Sequence, residues 1–360
     1  MKVCLFGSYI KEQMNDLLIK KLEIQNIEIV ECNEEIHSIG SFFSAYLKLI
    51  LKHQKIDYDI MILPLWRSLM TMPLAKIISR KPILYYGYMP IYDTVVNDRK
   101  IAKPNSFVAR LVYFVEKMAW RWSDMILKET YAEIDYFSNQ FKVDKKKFRR
   151  LLISADESKF LPCEFKKSQE KLVVLYHGTF IPHHGVDTII EAAKILSEEK
   201  DIVFNLFGKG QTLTENRDLA KKNKLNNLHF FGWVEFDQLL ENINKSDVCL
   251  GIFGESSKST YGVTNKNYQI LCSQKPLITR DSKAMQEINA ENEKNCILIP
   301  PKDPKKLAEA ILFLKNNPDK RQEIALNGRK LFINELSIEN TSKQLSKFLQ
   351  EITDKKRVQK

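Results

Sequence analysis

Two glycines and two histidines share one loop of the sequence that could hold a phosphate group. The loop spans residues 178–185 (GTFIPHHG), follows the apolar run 172–177 and precedes a helical pattern that begins at Val186. Such a strand, loop and helix leave backbone N–H groups unpaired and aim the positive end of the helix dipole at the loop. The segment can therefore cradle a diphosphate, and His184 could add a charge-assisted hydrogen bond.

Two further glycine-containing segments follow apolar runs, at residues 206–210 (LFGKG) and 230–234 (FFGWV). Open α/β sheets bind ligands beyond the carboxyl ends of their strands, and glycine there lets a ligand approach the backbone closely. Each segment alone is weak evidence. Their order along the chain predicts one ligand-binding edge.

A polar loop and a short helical stretch between residues 255 and 274 add side chains that suit a nucleotide. Thr264 or Asn265 can cap the helix, which leaves backbone donors and Lys266 available to an anion. Gln269 lies one turn further on the same side as Asn265, where it could hydrogen-bond a ribose or sugar hydroxyl.

Parallel sheets must position these loops, because short apolar runs alternate with stretches of helical period along the whole chain. The predicted strands are residues 3–6, 27–31, 58–63, 83–86, 125–127 and 149–153 and, in the second half, 172–177, 203–207, 228–231, 248–252, 276–279 and 296–299. Residues 154–171 interrupt the alternation and predict a linker. The fold class is therefore α/β, with one domain at 1–164 and another at 165–337.

Composition excludes several classes of protein. The 360 residues are 44% hydrophobic and 28% charged, as in soluble globular chains, and contain no apolar run long enough to cross a bilayer. The N-terminal apolar stretch is too short for a signal peptide, so we expect a cytoplasmic protein. The six cysteines are scattered singly, which speaks against a zinc site or a disulfide framework.

The net charge of +11 suggests an anionic partner, such as nucleic acid, an anionic membrane surface or a phosphate-bearing substrate. No nucleic-acid motif is present, so we expect no nucleic acid. Residues 41–55 and 106–123 interleave aromatic and aliphatic residues with basic ones at helical spacing. They are either core helices with basic outer faces or helices that lie in a membrane interface.

The second half resembles the C-terminal domain of retaining GT-B glycosyltransferases of the group 1 (family 4) class. The resemblance covers about residues 172–332 and rests on His177–Thr179, Gly185–Asp187, Phe207–Gly210, Phe231–Val234 and Asn265–Thr279. It implies two facing Rossmann-like domains with an interdomain cleft, and a final helix, about 338–352, that packs back on the first domain. It also implies a UDP- or GDP-linked sugar donor, retention of the anomeric configuration, and no metal or other cofactor.

The resemblance assigns roles to particular residues. Those assigned to donor binding are Gly178, Thr179, Gly208, Lys209, Gly210, Val234, Thr264, Asn265 and Gln269. His184, Lys266 and Asp93 are the candidate catalytic residues, and Gly7 and Ser8 lie on the acceptor side. Asp93 is a candidate for binding or orienting the acceptor or sugar; the alternative is a structural residue of a turn.

Four positions depart from the family pattern. A pair of glutamates in the family corresponds here to Tyr261 and Gln269, and its arginine and lysine correspond to Thr179 and His184. Phosphate charge would then rest on His184, Lys266 and Lys209.

The functional expectation is a metal-independent transferase for cell-surface polysaccharide, of hexosyltransferase type. It would act on a glycan or lipid-linked acceptor, in the cytoplasm or peripherally on the inner membrane face through residues 41–55 and 106–123. The alternatives are a catalytically silent binding subunit and a nucleotide-sugar epimerase of the same fold.

Overall fold

The computed structural model describes residues 1–9, 16–36, 39–64, 66–162 and 171–358. The chain forms two compact units: unit 1 comprises Met1–Leu152 and Ile338–Lys360, and unit 2 comprises Ile153–Ser337. The change of unit follows Leu152, whereas the predicted boundary at 164/165 falls in the stretch 163–170, outside the described residues. The sequence also predicts a first helix from about Gln13, and that start lies outside the described residues.

Unit 1 contains a parallel sheet of six strands among its described residues. They are β1 (Lys2–Gly7), β2 (Glu28–Asn33), β3 (Ile60–Pro64), β4 (Ile83–Tyr86), β5 (Met125–Lys128) and β6 (Phe148–Arg150), in the spatial order β2-β1-β3-β4-β5-β6. Every residue of β3, β4 and β5 is buried, which explains their near-continuous apolar sequences. Helices α1 (Asp16–Ile24), α2 (Ile39–His53), α3 (Met72–Ile78), α4 (Phe107–Trp122) and α5 (Tyr131–Phe141) connect the strands.

Unit 2 contains a second parallel six-stranded sheet in the part of it that is described. Its strands are β7 (Leu172–His177), β8 (Ile202–Phe207), β9 (Leu228–Gly232), β10 (Val248–Leu250), β11 (Leu277–Arg280) and β12 (Ile297–Ile299), in the order β12-β11-β10-β7-β8-β9. Its helices are α6 (Val186–Ile195), α7 (Leu213–Lys222), α8 (Phe236–Lys245), α9 (Ser257–Tyr261), α10 (Asn265–Cys272), α11 (Lys283–Glu287), α12 (Pro304–Asn316) and α13 (Pro318–Leu331). The core lies between the sheet and α6 and α12.

The last helix, α14 (Ile338–Val358), belongs to unit 1. Leu345, Leu349 and Ile352 are buried with residues of β1, β3 and α1, and α14 packs along α1. The guanidinium of Arg149 donates a hydrogen bond to the Glu351 carboxylate from Nε at 3.0 Å. Residues of the last helix and of the first strands thus share the hydrophobic core of unit 1.

Helix α4 has two apolar faces. Ala109, Ala119 and Trp120 are buried, whereas Phe107, Leu111 and Phe114 on the opposite side are exposed. The interpretation of 106–123 as a core helix with a basic outer face is therefore wrong, because most of its outer face is apolar. No helix in the described ranges is long and apolar enough to span a bilayer.

The buried carboxyl group of Glu116 in α4 makes unit 1 sensitive to pH. Its two oxygens accept hydrogen bonds from the N–H groups of Ile91 (3.0 Å) and Tyr92 (2.9 Å), and burial raises its pKa from 4.5 to about 7. Between these two values the folded protein holds a proton that the unfolded chain has lost. The contribution of Glu116 to the free energy of unfolding should therefore fall with rising pH, by at most about 1.4 kcal/mol per pH unit.

Glu116→Gln should remove this slope, because an amide does not titrate. Urea unfolding of both proteins at pH 5, 6 and 7 would measure it. An equal slope in the variant would contradict the assignment to Glu116.

Candidate active site

The sheet of unit 2 reverses its strand order between β7 and β10. From β7 the chain adds β8 and β9 on one side, whereas β10, β11 and β12 lie on the other. The loops after β7 and β10 therefore diverge, and such a switch point is where open α/β sheets bind ligands. The segments of the predicted phosphate loop, 178–185, and of α10 both follow strands that border this point.

Glycines bring the loop backbones together at this edge. Gly178 and Gly208 have φ values of +141° and +138°, and a Cβ on Gly208 would lie 1.8 Å from the carbonyl oxygen of Gly178. The N–H of Gly178 donates to Phe207 O (3.0 Å), and that of Gly208 donates to Gly232 O (2.6 Å). These two glycines shape the edge, but their N–H groups are already used.

The loop after β7 is fixed against the segment after β10. Pro182–His184 form a single 3₁₀ turn, Gly185 is left-handed at φ +62°, and α6 begins at the next residue. Phe253 N–H donates to His184 O (2.9 Å), and a Cβ on Gly254 would lie 2.4 Å from His183 O. The N-terminus of α6 is thereby held at the switch point.

A buried lysine lies inside this loop. The Nζ atom of Lys266 is 3.9 Å from the ring centroid of Tyr176 and 3.4 Å from Nδ1 of His184. Tyr176 Oη is 2.8 Å from the same Nδ1. Within the described residues no carboxylate forms an ion pair with Lys266, although its side chain is only 5% exposed. An anion would supply the missing partner.

Burial sets the charge of this cluster. It lowers the pKa of Lys266 well below 10.5 and that of His184 well below 6.5, with Lys266 lowering the latter further. His184 is therefore neutral near pH 7, which corrects the expectation that its imidazole contributes positive charge. It contributes a neutral hydrogen-bonding group instead.

His177 and Gln269 form a second buried contact at the end of β7. Nε2 of His177 is 3.0 Å from Oε1 of Gln269, and because an amide oxygen only accepts, the imidazole proton is on Nε2. Burial, with the charge on Lys266, lowers the pKa of His177 to about 4. Its Nδ1 is buried without a hydrogen-bond partner in the described part of the chain. Gln269 is thus oriented by His177, a residue to which the sequence assigned no role.

The start of α10 differs in detail from the sequence expectation. Thr264 occupies the N-cap position, but its hydroxyl pairs with Oδ1 of Asn267 (3.1 Å) rather than capping a backbone N–H group. Asn265 is exposed, whereas Lys266 is directed inward. The N-terminus of α10 and the side chain of Lys266 therefore both lie at the carboxyl edge of the sheet, but the helix N-terminus is exposed and the lysine is buried.

The remaining predicted donor residues lie at the outer part of this edge. Lys209 is exposed, and Thr179 and Val234 are more exposed than the buried Tyr176, His184 and Lys266. The Nζ of Lys209 lies 4.8 Å from the ring centroid of Trp233. Gly210 has a φ of +152°, and a Cβ there would lie 2.4 Å from Phe180 O. Trp233, 64% exposed, is a further residue the sequence did not single out.

The predicted residues of unit 1 form no comparable cluster in its described part. Gly7 is the last residue of β1 and Ser8 follows it, beside the point between β1 and β3 where this sheet reverses its order. Ser8 is buried and accepts a hydrogen bond from Ile36 N–H (3.0 Å). Asp93 is fully buried, and its Oδ1 accepts from Asn97 Nδ2 (2.7 Å) and Tyr136 Oη (3.2 Å). These contacts favour the structural alternative for Asp93.

Across the described residues, no group of histidine, cysteine, aspartate or glutamate side chains is arranged to hold a metal ion.

Two Rossmann-like sheets, each with glycine at the carboxyl edge of its switch point, define an α/β protein with two Rossmann-like domains. Residues 159–331 match the family "Glycosyl transferases group 1". The predicted fold class, two Rossmann-like domains with parallel sheets, is confirmed by this sheet order and by solved GT-B structures.

One such structure is Alr3699/HepE from Anabaena in complex with UDP-glucose, with a TM-score of 0.74, 15% identity, and coverage of 98% of this chain and 100% of that one. Another is sucrose-phosphate synthase from Thermosynechococcus elongatus, with a TM-score of 0.71, 15% identity, and coverage of 98% and 99%. At these identities the likeness establishes the fold.

Two curated relatives come from Methanocaldococcus jannaschii, and both are uncharacterized glycosyltransferases. MJ1178 is 28% identical over 180 residues, or 50% of this chain and 48% of its own length. MJ1069 is 22% identical over 260 residues, or 69% of this chain and 65% of its own length. The chain thus spans about half to two thirds of the curated relatives that it matches.

Proposed function

We propose that this protein is a glycosyltransferase that moves a sugar from a nucleotide-sugar to an acceptor. The observation that carries the proposal is Lys266, a buried lysine without a carboxylate partner in the described residues, at the strand-order switch of the region that matches the group 1 family. The solved neighbours favour a UDP-linked donor, because HepE was crystallised with UDP-glucose and TarM from S. aureus with UDP. A GDP-linked donor is the alternative.

The chemistry requires neutralisation of a leaving diphosphate. As the glycosidic bond breaks, negative charge develops on the phosphate oxygens, and Lys266 and the N-terminal ends of α6 and α10 would stabilise it. The neutral His184 would donate or accept one hydrogen bond, and Gln269 would bind a ribose or sugar hydroxyl. No metal is part of this proposal.

The finer proposal is a retaining, hexosyl-transferring enzyme, in which the acceptor attacks from the face that the leaving group occupied. The acceptor is a glycan or a lipid-linked saccharide for cell-surface polysaccharide, reached at the cytoplasmic face of the membrane. A mutant of TarM was crystallised with fondaparinux and α-GlcNAc-glycerol as well as UDP, which supports a glycan acceptor.

One observation favours a second candidate, a catalytically silent subunit. The positions of the family's two glutamates hold Tyr261, which is buried, and Gln269, which is bonded to the neutral His177. No carboxylate stands at either position.

A binding screen separates the candidates. Thermal shift and calorimetry with UDP, GDP, ADP and their sugar conjugates in EDTA should identify one tightly bound nucleotide, because a ligand of the folded state raises its apparent stability. Sugar transfer to membrane extract, with the anomeric configuration read by NMR, should then follow. If no nucleotide binds, the transferase proposal is rejected. Conversion of the donor's sugar in the absence of any acceptor would indicate an epimerase.

The buried lysine predicts how affinity depends on pH. Burial lowers the pKa of Lys266 in the free protein, and a bound diphosphate raises it again. Between those two values the complex holds one more proton than the free protein, so the Kd for UDP should increase as pH rises. Tyr176, His177, His184 and, further out, Lys258 face the cluster, and the two histidines are neutral throughout.

Calorimetry at pH 7, 7.5 and 8 would measure this dependence, because the terminal phosphate of UDP is mostly ionised there and its uracil ring stays neutral. Lys266→Arg should flatten it, because guanidinium stays protonated. The same slope in this variant would exclude Lys266 as its source.

A further inference from the structure

The outward side of α4 is apolar. Phe107, Val108, Leu111, Phe114 and Val115 are all exposed, with fractions from 37% to 79%. At 100° per residue they cover an arc of about 120° that lies opposite the buried residues of the same helix. A helix of a soluble domain normally has polar residues there.

A neighbouring helix also exposes an apolar side chain. α3 packs against α4, and its Ile77 is 81% exposed. We call Ile77, Phe107, Val108, Leu111, Phe114 and Val115 the α3–α4 apolar face. Large exposed apolar surfaces of this kind mark interaction sites.

The exposed charges of the stretch that forms the α3–α4 apolar face are positive. Between Met70 and Arg121 the sequence has nine lysine and arginine residues, and none of them is buried. The three carboxylates of the same stretch, Asp93, Asp98 and Glu116, are at most 2% exposed. Two exposed carboxylates, Asp124 and Asp144, lie near Lys147 at the Arg121 end and offset part of this charge, but the stretch keeps a net positive surface charge.

On α4 itself, the basic residues lie along one edge of the apolar arc. Arg110, Lys117 and Arg121 fall within about 40° of one another on a helical projection, next to Phe114. An interfacial helix has this arrangement, with apolar side chains among acyl chains and basic ones at the headgroups.

The second sequence candidate, residues 41–55, has a weaker case. α2 also exposes apolar residues, Phe43, Leu47 and Leu51. The positive charge of its lysines is halved, because Lys48 and Lys52 share one carboxylate, that of Glu34. The larger net positive charge belongs to the stretch that contains α3 and α4.

The positive charge also indicates which partner binds the α3–α4 apolar face. A second copy of this chain would place the same nine cations opposite one another, which disfavours association through this face. An anionic bilayer satisfies both the apolar and the basic residues.

We propose that the α3–α4 apolar face docks unit 1 onto an anionic bilayer. Phe107, Leu111 and Phe114 enter the region between headgroups and acyl chains, while Arg110, Lys117 and Arg121 bind lipid phosphates. The docking deepens the proposed function, because it would bring unit 1 to a lipid-linked acceptor, but the surface is independent of the nucleotide site in unit 2.

The test is flotation of the full-length protein with vesicles of phosphatidylcholine alone or with about 30% phosphatidylglycerol, in low and high salt. The protein should bind the anionic vesicles at least about tenfold more tightly, and high salt should weaken that binding. Phe107→Ser with Phe114→Ser should reduce it about tenfold or more. The matched control, Phe43→Ser with Leu47→Ser on α2, should change it less than about twofold.

Unchanged melting temperature and nucleotide binding would show that the variants fold. Equal binding by the Phe107/Phe114 variant and the native protein, or no binding by the native protein, overturns the proposal. So does concentration-dependent dimerisation that the same variant abolishes. Vesicle binding without nucleotide binding would reject the transferase and leave the docking surface intact.

Discussion

Replacing Lys266 with methionine should weaken the binding of a nucleoside diphosphate by about tenfold to a hundredfold and, at the same time, raise the melting temperature. The two effects have one cause. The side-chain amine is buried against Tyr176 and His184 without a carboxylate partner in the described residues, so the desolvation of its charged form is uncompensated until an anion binds. Methionine has a similar length, packs well in irregular spaces and carries no charge.

The magnitudes follow from ordinary contributions of charged groups. A charge-assisted hydrogen bond to phosphate contributes about 1.5–3 kcal/mol, and each ~1.4 kcal/mol is a factor of ten in Kd. Relief of desolvation by about 1 kcal/mol would raise the melting temperature of a domain of this size by about 2–4 °C. Calorimetry with UDP and differential scanning fluorimetry without ligand measure the two effects.

Lys275 provides a matched control in the same unit. It is also buried, but its Nζ donates to the carbonyl oxygens of Asn244 and Ser246, both at 2.9 Å. Lys275→Met should therefore lower the melting temperature, because two carbonyl acceptors, one of them buried, lose their donor, and leave UDP affinity unchanged. Undiminished UDP affinity in Lys266→Met would remove this lysine from the site.

Gly208→Ala should destabilise unit 2 by roughly 4 kcal/mol or more, the largest stability effect that we expect of any single methyl group here. The new Cβ would lie 1.8 Å from Gly178 O and 2.9 Å from Gly178 C, and both atoms belong to the backbone. The loops cannot separate without breaking the Gly178 N–H bond to Phe207 O and the Gly208 N–H bond to Gly232 O. A φ of +138° adds strain for any residue with a Cβ.

Gly232→Ala is the control that separates a steric clash with neighbouring backbone from the strain of a positive φ. Gly232 also has a positive φ, +73°, but a Cβ there would meet nothing within 4 Å. It should cost only about 1 kcal/mol, the usual penalty for a left-handed non-glycine residue. Urea unfolding of both variants, followed by tryptophan fluorescence and circular dichroism, would compare them. Similar losses in both would mean that strain, not backbone contact, constrains this edge.

The sequence predicts the strands of both sheets well, and the reason is burial. Strands such as β3 and β7 are covered on both faces, so they appear as short continuous apolar runs that local patterning detects. The order of the strands, and hence the switch point between β7 and β10, comes from the structure alone, because apolar runs show where strands lie but not which strands are neighbours.

The electrostatics of the site could not be predicted, because they depend on contacts between distant residues. His184 is neutral because it is buried with Tyr176, eight residues earlier, and Lys266, 82 residues later. Asp93 looked available, but Tyr136, 43 residues away, covers it. Helical periodicity likewise shows which residues of α4 share a face; it does not show which face the sheet covers.

The return of α14 to unit 1 has a consequence for biosynthesis. Leu345 and Leu349 complete a core whose other members, apart from residues of α14 itself, lie before residue 152, so unit 1 cannot close until the ribosome has made all of unit 2. At ~5–20 residues per second, that interval lasts about 10 to 40 seconds. Unit 2 is continuous and can fold first, while the nascent unit 1 exposes the apolar groove of α1 and β1 that α14 will later cover. A chaperone that shields this groove during translation would therefore raise the yield of folded protein more than one that acts after release.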